Sequence, residues 1–556
     1  MKHCFKLSAA AFSIAVLLLG ACSSPRQMRS DVSDINVSCT PEVLESVADT
    51  IRATITVNFP AGYFKPSAMM VATPVVVYAD GQRTGKAQIW QGENIKANYK
   101  VIPSSGGSVS FDVEYEFVSG MEQSALELQC QLLLGGGKTI DIAPIKVADG
   151  CIATYRLADT RGEYSLKPDG FVQVTTHTTS TSILFDVNSS RVKNDVHNRN
   201  ALRVYKSYLE DLEKDPRYQV TGAQIVAYAS PEGGVKLNED LSKDRADAAI
   251  STWNSVSDGV SDSVKVSSVG QDWEGFKEAM ENSDIEDKDL ILRILSMYSD
   301  PAVRESEIRN LSFIYEDIKK EVFPELRRAS LVVNAEHIGY SDEELAQMAV
   351  KQLSLLSEPE ILHLAAVTDS IDAKKYYYRV TTEKWGSNAG FYALATIALD
   401  EDKIDVALAY LTHTDEADPD VLNLLGAIEM RRGNLDSALD FFEMADTPDA
   451  HKNIGTILIL KGKYAEAAKL LEGSGSRNEA LAHILAGDCD KALSMLSGDS
   501  PRECYLSAIA SVRKGDKAAA EKYLDAVSGF KNDSARIYSE RAAKDAEFAG
   551  LFAAIA

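Results

Sequence analysis

The sequence is poor in several residue types that carry chemistry. Its 556 residues include eight His, seven Cys and four Trp, and the 58 Lys and Arg are outnumbered by 82 Asp and Glu. The formal net charge of −24 argues against nucleic acid as a partner, because binding nucleic acid needs clustered Lys and Arg. Beyond the N-terminal segment, no apolar run is long enough to cross a bilayer.

The motifs of common catalytic and metal sites are also missing. The chain has no HExxH pattern, no two His four residues apart and no GxSxG pattern. The acidic clusters at 284–289 and 400–405 lack the spacing of a calcium loop. The run GGGKT at 135–139 lacks the first glycine of a phosphate-binding loop. The sequence therefore predicts a protein that is not an enzyme and that uses no metal and no cofactor.

The first 21 residues have the form of a targeting segment. A basic start, with Lys2 and Lys6, precedes an apolar run at 9–20 that is too short to span a bilayer comfortably. The run ends in the letters LGAC at 19–22, which resemble the lipobox of bacterial lipoproteins. That resemblance implies cleavage of the signal peptide and acylation of Cys22 with several chains, which would hold the protein on a membrane stably. The alternative is an ordinary signal peptide with a chance cysteine.

The residues after Cys22 bear on location. Ser23 stands where an Asp would retain some lipoproteins in the inner membrane, so the resemblance implies the outer membrane. No acidic run of the kind that directs lipoproteins to the cell surface follows. We expect a periplasm-facing lipoprotein, with surface exposure left open. Residues 22–36 are polar and without periodicity, which is typical of a tether.

Five cysteines remain in the predicted mature chain after Cys22. Export would permit disulfides, but no CxxC pattern or Cys/His spacing occurs. Three of the five lie in the N-terminal third, so at least one of these is free or pairs elsewhere. We expect buried free thiols for most of them; they are Cys39, Cys130, Cys151, Cys489 and Cys504.

Residues 37–157 show the period-two pattern of strands with one buried face. Apolar and polar residues alternate over 51–59, 109–117 and 126–132. Turn signals such as the Gly-Gly pair at 106–107 separate these rows. The pattern predicts a β-sandwich of immunoglobulin-like type, a fold that binds or spaces.

A segment with Gly and Pro among charges, 158–175, is predicted to be a linker. Over 176–338 apolar strands alternate with amphipathic helices, beginning with a short strand at 182–187, which predicts an α/β domain. Extra helical material at 271–324 interrupts this domain. Two alternatives stay open for the insertion: it covers part of a pocket, or it forms a partner surface.

The stretch AYASPEGGVKLNEDLSKDRA, at 227–246, joins an apolar strand to a helix through a turn with glycine. It resembles the signature of the OmpA-like peptidoglycan-binding domain. The matching residues are Gly233, Asn238, Leu241, Ser242, Arg245 and Ala246.

The resemblance implies a pocket for the peptidoglycan stem peptide, in which an Arg grips the carboxylate and an Asp the ammonium of diaminopimelate. Arg245 stands at the position of that Arg, but Ser230 stands where the family has its Asp. Glu232 is a candidate substitute for the missing charge, and Asn238 completes the predicted site. The alternative is that Arg245 only pairs with Asp244 or Glu239 to hold its helix.

From 341 to 556 the chain is helical and repetitive. Four copies have a small residue in a first helix, a turn glycine, then an alanine and a large apolar residue four positions later in a second helix, and an earlier copy at 393–411 lacks the turn glycine. This resembles the tetratricopeptide repeat, although the second-helix alanines are 31, 29, 25 and 28 residues apart instead of the roughly 34 of that family. The resemblance implies an all-α solenoid whose concave face binds a protein partner. A non-repeating helical bundle is the alternative.

Together these patterns predict a multidomain, non-enzymatic outer-membrane lipoprotein. The first hypothesis is a link between membrane and wall, in which the OmpA-like domain binds peptidoglycan and the repeats recruit a protein. The second is an assembly scaffold of an envelope machine, such as fimbrial, secretion or outer-membrane biogenesis equipment, whose OmpA-like domain does not bind wall.

Overall fold

The structure is a computed structural model that describes residues 27–30, 32–134, 138–257 and 263–552. The predicted signal peptide, Cys22 and the glycines at 135–137 lie outside the described residues. Within those ranges, no helix combines the length and the apolar character needed to cross a bilayer.

The chain divides into two compact units. Unit 1 comprises Met1–Lys167 and Gly386–Ala556, and unit 2 comprises Pro168–Trp385. In the sequence, unit 2 is therefore inserted into unit 1. The boundary divides both the predicted linker and the predicted repeat region.

The N-terminal half of unit 1 is built mainly from strands. One helical turn, α1, precedes them at Gln27–Ser30, and short 3-10 turns lie at Val32–Asp34, Met121–Gln123 and Thr154–Leu157. The strands are β1 (Asn36–Thr40), β2 (Leu44–Val47), β3 (Thr50–Phe59), β4 (Met69–Tyr78), β5 (Gly81–Thr84), β6 (Gln88–Gln91), β7 (Lys100–Val101), β8 (Gly107–Glu116), β9 (Ala125–Leu133), β10 (Thr139–Asp141), β11 (Ile145–Asp149) and β12 (Cys151–Ile152).

These strands form two sheets. In one sheet, β3 pairs antiparallel with β1, β2 and β8, and β12 joins β2 in parallel. In the other, β9 pairs antiparallel with β4, β10 and β11, β4 also pairs with β5 and β6, and β7 joins β6 in parallel. The predicted alternating rows are β3, β8 and β9, and inward residues such as Ile55 and Leu128 are fully buried. The mostly-β prediction for this region is confirmed.

The core of the strands continues into the helices of the C-terminal half of unit 1. Leu471, Tyr505 and Phe548 belong to the same cluster of buried side chains as Ile55 and Leu128. Burial of apolar area is the main favourable term in folding, so the two halves of unit 1 stabilise one another across the insertion.

Unit 2 begins with a mixed sheet. Its strands are β13 (Val174–Leu184), β14 (Tyr218–Ala229), β15 (Val264–Gln271) and β16 (Arg328–Ile338), in the order β13-β16-β14-β15. β16 runs antiparallel to β13 and β14, and β14 runs parallel to β15. Helices α2 (Val196–Lys214) and α3 (Val235–Val256) contribute to the core of this sheet through Tyr205, Leu209 and Trp253.

The predicted first strand of this region, at 182–187, was wrong in both bounds. β13 begins at Val174 and ends at Leu184. Its first eight residues, VTTHTTST, lie at the edge of the sheet and are mostly exposed or half-buried, so they show no apolar alternation. Thr and Val favour strands through their branched side chains, and that preference places the strand where the apolar pattern did not.

The insertion folds around a small core of its own, which includes Phe276, Ile291, Ile318 and Phe323. Its helices are α4 (Trp273–Asn282), α5 (Lys288–Met297), α6 (Pro301–Asn310), α7 (Ser312–Asp317) and α8 (Phe323–Leu326), with a π-helical turn at Ile318–Val322. Unit 2 ends with α9 (Asp342–Gln352), a 3-10 turn at Leu353–Leu355, α10 (Glu358–Val367) and α11 (Ile371–Trp385).

The C-terminal half of unit 1 is all-helical, as predicted. It consists of α12 (Asn388–Asp400), α13 (Ile404–Leu411), α14 (Pro419–Arg431), α15 (Leu435–Ala445), α16 (Pro448–Leu460), α17 (Tyr464–Leu471), α18 (Glu479–Leu485), α19 (Cys489–Met495), α20 (Pro501–Arg513), α21 (Lys517–Gly529), α22 (Asp533–Ala542), a 3-10 turn at Ala546–Phe548 and α23 (Ala549–Phe552).

Successive pairs from α12/α13 to α20/α21 form helical hairpins whose turns explain the glycine pattern. Gly433 lies at the end of α14 with φ +83°, a left-handed conformation that favours glycine. In the copy without a turn glycine, Asp402 adopts the corresponding left-handed conformation with φ +59°. Asp tolerates this region better than most residues, so this hairpin closes without glycine.

Candidate functional site

The turn between β14 and α3 is the first candidate site. Gly233 has φ +109° and anchors the turn. Its carbonyl accepts hydrogen bonds from the side-chain amides of Asn238, at 3.2 Å, and Gln271, at 2.9 Å. Asn238 is 3% exposed. The predicted ligand residue Asn238 therefore uses its amide nitrogen to close the turn.

Arg245, in α3, is held by main-chain carbonyls. Its Nε donates to the carbonyl of Ser189 at 3.0 Å, its Nη1 to that of Tyr228 at 2.9 Å and its Nη2 to that of Asp186 at 3.2 Å. The guanidinium also lies 5.2 Å from the centre of the Phe185 ring, which adds a cation–π contact. Two parts of the chain, the segment after β13 and the end of β14, are thus bound by one side chain.

The charge of Arg245 has no close counter-ion within the described ranges. Its side chain is 1% exposed, and Asp244 and Glu239, the partners of the sequence-based alternative, do not pair with it there. Burial, followed by repulsion from Arg327, lowers the pKa of Arg245 to about 10, against the attraction of Glu232. The guanidinium remains charged at neutral pH, and its contacts fasten the end of β14 to the segment after β13.

Ser230 and Glu232, two of the predicted site residues, lie together, and Arg327, which the sequence did not indicate, joins them. The Ser230 hydroxyl donates to Oε1 of Glu232 at 3.0 Å. Nε of Arg327 donates to the same oxygen at 2.9 Å, and both charged side chains are largely buried. The substitute carboxylate is therefore neutralised inside the protein, and it is not displayed to a cationic ligand.

The insertion contacts this turn. Glu305, in α6, accepts a hydrogen bond from the backbone N–H of Gly233 at 2.9 Å and pairs with Arg309 of its own helix. A backbone N–H in such a turn is the kind of group that binds an external carboxylate. Here a carboxylate of the same chain takes that place.

The second candidate site lies on the helical hairpins of unit 1. We use the name linker groove for the surface formed by α12, α14, α16, α18 and α20, along which residues 158–167 run. Asn453 accepts the N–H of Glu163 at 2.7 Å and donates to its carbonyl at 2.8 Å. Asn478 makes the same pair of bonds with Asp159, at 2.8 and 3.0 Å. Each of these asparagines thus forms hydrogen bonds with both the N–H and the C=O of one residue.

A third asparagine completes this ladder. Nδ2 of Asn423 donates to the carbonyl of Glu163 at 3.0 Å, and its Oδ1 accepts from Asn453 at 2.9 Å. All three asparagines are at most 2% exposed. A buried amide without partners would be costly, so the ladder depends on the segment that satisfies it.

Charged groups fix the direction of the segment in the linker groove. At its N-terminal end, Nη2 of Arg502 donates to the carbonyl of Leu157 at 3.2 Å. At its C-terminal end, Nζ of Lys167 lies 2.6 Å from Asp418 and 3.1 Å from Asp420. The segment therefore runs from the last hairpin to the first, opposite to the order of the hairpins in the sequence.

The five cysteines that follow Cys22 all lie in the described residues. They are free and buried, as expected. Burial raises the pKa of Cys130 to about 12, and burial assisted by Glu122 and Glu45 raises that of Cys151 to about 12. Thiols in this state are poor nucleophiles, since the thiolate is the reactive form. In the described part of the chain, no three His, Cys, Asp or Glu side chains cluster in a way that would hold a metal ion.

Sequence reasoning missed the asparagine ladder, Arg327 and Glu305. For the ladder a signal existed, because Asn423, Asn453 and Asn478 stand two or three residues before the small residue of their first helices. No comparable signal marks Arg327 or Glu305, which reach the turn from distant parts of the sequence.

Comparison with protein-family models yields no match for this chain, and comparison with curated proteins yields none either.

Proposed function

We propose that this chain is a non-enzymatic scaffold of the bacterial envelope, anchored by lipid to the periplasmic face of the outer membrane, whose α/β domain does not bind the wall. The observation that carries the proposal is Arg245, whose three nitrogens are each engaged by a main-chain carbonyl. A guanidinium used in this way holds the fold and offers little to an external carboxylate.

The rest of the pocket supports the same conclusion. Glu232 is paired with Arg327, and the N–H of Gly233 is bound by Glu305. A diaminopimelate group would have to replace each of these internal partners. Breaking a largely buried ion pair leaves a charge unpaired, which typically costs about 3–5 kcal/mol.

The domain families are part of the proposal. The sheet order β13-β16-β14-β15 and the turn before α3 support an OmpA-like fold for unit 2. The two sheets that share a core support an immunoglobulin-like sandwich, and the hairpins with left-handed glycines support tetratricopeptide-like repeats. The lipid anchor rests on the letters LGAC at 19–22, and export on the apolar run before them.

Sedimentation with peptidoglycan sacculi tests the absence of wall binding. The soluble chain that begins at Ser23 is spun with purified sacculi, together with Glu305→Ala, which frees the N–H of Gly233, and Glu307→Ala as a control in the same helix. We expect all three to stay in the supernatant. Pelleting of the parent chain that free diaminopimelate reverses would contradict the proposal. Pelleting of Glu305→Ala alone would agree with the absence of wall binding in the parent chain, and it would identify Glu305 as the group that blocks the pocket.

Acylation is tested separately. In a Gram-negative host, the full chain is expected to incorporate radiolabelled palmitate and to fractionate with the outer membrane. Cys22→Ser should lose both properties, whereas Cys4→Ser, in the removed segment, should keep them. Palmitate incorporation that persists in Cys22→Ser would contradict the predicted anchor.

Exposed apolar side chains offer a positive test of a scaffold role. Phe313, in the insertion, is 78% exposed, and Val350, in α9, is 86% exposed. Photocrosslinkers at these two positions are expected to give discrete protein adducts in intact cells, and one at the exposed polar position Lys277 is the control. Identical adduct patterns at all three positions would argue against a specific partner surface.

Wall attachment is the second candidate function. It is favoured by one observation: within the described ranges, Arg245 lacks a carboxylate partner, so its charge is left for a ligand to balance. The sedimentation assay separates the two candidates, since attachment to the wall requires the parent chain to pellet.

A further inference from the structure

We propose that residues 158–167 are an intramolecular ligand of the helical hairpins, so that the linker groove is closed in the resting protein and admits an external extended peptide only when this segment leaves. This inference concerns unit 1 alone and does not depend on the membrane anchor or on wall binding.

The segment is held as a bound peptide is held, mainly through its main chain. Asn453 binds both the N–H and the C=O of Glu163, and Asn478 binds both groups of Asp159. The two bound residues are four positions apart in the segment. Such pairing does not depend on side-chain identity, so it selects an extended backbone. Among its larger side chains, Tyr164 packs against the core of the hairpins, whereas Arg161 and Leu166 are exposed.

Side chains of the segment add selectivity through charge. Oε1 of Glu163 accepts from the Ser476 hydroxyl at 2.6 Å and from the N–H of Arg477 at 3.0 Å. The Ser165 hydroxyl donates to Asp449 at 2.6 Å. With Lys167 on Asp418, the ligand pattern is an acidic residue followed by a hydroxyl and then a cation. An external ligand of the groove would need this order of groups.

Close packing at one position explains why the segment contains glycine. Gly162 has φ +86°, and a Cβ added there would lie 2.6 Å from Cβ of Ala427 in α14. Any other residue at 162 would be strained and would push the segment out of the linker groove. The position thus offers a way to open the groove without changing the hairpins.

Connection within one chain favours closure. A ligand joined to its receptor has an effective concentration in the mM range for short connections, so a free peptide of equal affinity competes poorly. The hydrogen bonds between the segment and the hairpins are polar, and a cleft of about 420 Å³ lies beside the segment, lined by Arg161, Asp400, Lys452 and Arg477 among others. Departure of the segment removes Tyr164 from the edge of the hairpin core and leaves the three asparagines without these partners, so an external peptide has to replace both kinds of contact.

The test uses the full chain and a labelled synthetic peptide of residues 157–168. In one variant, residues 159–165 are replaced by Gly and Ser at equal length. We expect the unaltered chain to show no binding at peptide concentrations up to about 1 mM, whereas the replaced variant binds. Addition of Asn453→Ala to that variant should weaken binding by about tenfold or more, since both hydrogen bonds between Asn453 and the main chain at the position of Glu163 are lost. Asn388→Ala, at an exposed position of α12, is the matched control.

Equal binding by the unaltered chain and the replaced variant would overturn the proposal, because the groove would then be open. Absence of binding by a folded replaced variant would overturn it as well. If the replaced variant does not fold, hydrogen exchange on the unaltered chain decides. The amides of Asp159 and Glu163, which donate to Asn478 and Asn453, should exchange about a hundredfold or more slowly than in the free peptide, and Asn453→Ala should remove the protection of Glu163. Exchange at the rate of the free peptide would refute the proposal.

Discussion

Asn453 satisfies both main-chain hydrogen-bonding groups of Glu163, a residue 290 positions earlier in the chain. The asparagine is fully buried in α16, whereas Glu163 precedes the whole of unit 2. This contact fastens the strand half of unit 1 to its helical half.

Replacement of Asn453 should destabilise unit 1. In Asn453→Ala the N–H and C=O of Glu163 lose a partner, and Asn423 loses the donor to its Oδ1. A buried polar group left without a partner costs about 1–3 kcal/mol. We expect a fall of at least that size in the free energy of opening of α14 and α16, measured by hydrogen exchange of peptides from these helices.

The matched control is Asn388→Ala, which removes the same amide from an exposed position of α12. It should change the exchange of α14 and α16 little. Equal effects of the two substitutions would show that the asparagine ladder has no special part in stability.

Hydrophobic periodicity was enough to predict much of the fold. The alternation over 51–59 predicted β3, and the glycine and alanine phasing predicted hairpins such as α14/α15. In both cases a local pattern reports which face of an element is buried. It failed at β13, where threonines at a sheet edge form a strand without an apolar face.

The sites were less predictable, because their decisive contacts join residues far apart in the sequence. The turn at 227–246 indicated that Ser230, Glu232 and Arg245 belong together, and the structure brings them to one end of β14. It could not indicate that Arg327 and Glu305 would bind the same groups. Likewise, the Gly and Pro of 158–175 predicted a linker, but nothing local to that segment shows that it lies in a groove formed some 300 residues later.

Close helix packing at Gly426 gives a second prediction. A Cβ added at Gly426 would lie 2.5 Å from the Phe442 ring, so α14 or the ring must move. Although alanine favours a helix over glycine by about 1 kcal/mol, overpacking of this kind costs about 1–3 kcal/mol. We expect Gly426→Ala to lower the midpoint of thermal unfolding of unit 1, measured by calorimetry.

Gly529 is the control for this prediction. It ends α21, and an added Cβ would meet no atom within 4 Å. Gly529→Ala should therefore leave stability unchanged or raise it slightly. If Gly426→Ala raised the midpoint of thermal unfolding as much as Gly529→Ala does, α14 would not approach the Phe442 ring of α15 this closely.

Arg245 should behave as a structural residue. Arg245→Ala leaves the carbonyls of Asp186, Ser189 and Tyr228 without their donor, and we expect unit 2 to lose about 3–5 kcal/mol. Arg245→Lys should recover only part of this loss, because one ammonium cannot match the fork of a guanidinium. Urea unfolding followed by tryptophan fluorescence suits the measurement, since three of the four tryptophans, Trp253, Trp273 and Trp385, lie in unit 2.

Arg203→Ala, at an exposed position of α2, is the control for Arg245 and should cost little. A stable Arg245→Ala variant would show that the three carbonyls are satisfied in another way. That result would reopen the case for an arginine kept for a ligand.

The last prediction concerns pH and His363, in α10. Its Nδ1 lies 2.8 Å from Asp169 and its Nε2 2.9 Å from Asp342, and its ring stacks on Phe171. Burial works to lower the pKa of His363, but the hydrogen bonds to the two carboxylates outweigh it, so the pKa is raised above its ordinary value of 6.5. The protonated ring therefore binds its proton more tightly in the folded than in the unfolded protein.

By linkage, the stabilisation from His363 is fully present below the unfolded pKa and is lost as pH rises through the folded pKa. Urea unfolding monitored by tryptophan fluorescence at about pH 5.5 and 8.5 should show that His363 contributes more to the stability of unit 2 at the lower pH. His363→Gln should remove this pH-dependent part, whereas His197→Gln, at an exposed position of α2, should retain it. If the difference in stability between the parent chain and His363→Gln is the same at both pH values, the histidine does not bridge the two carboxylates as a cation.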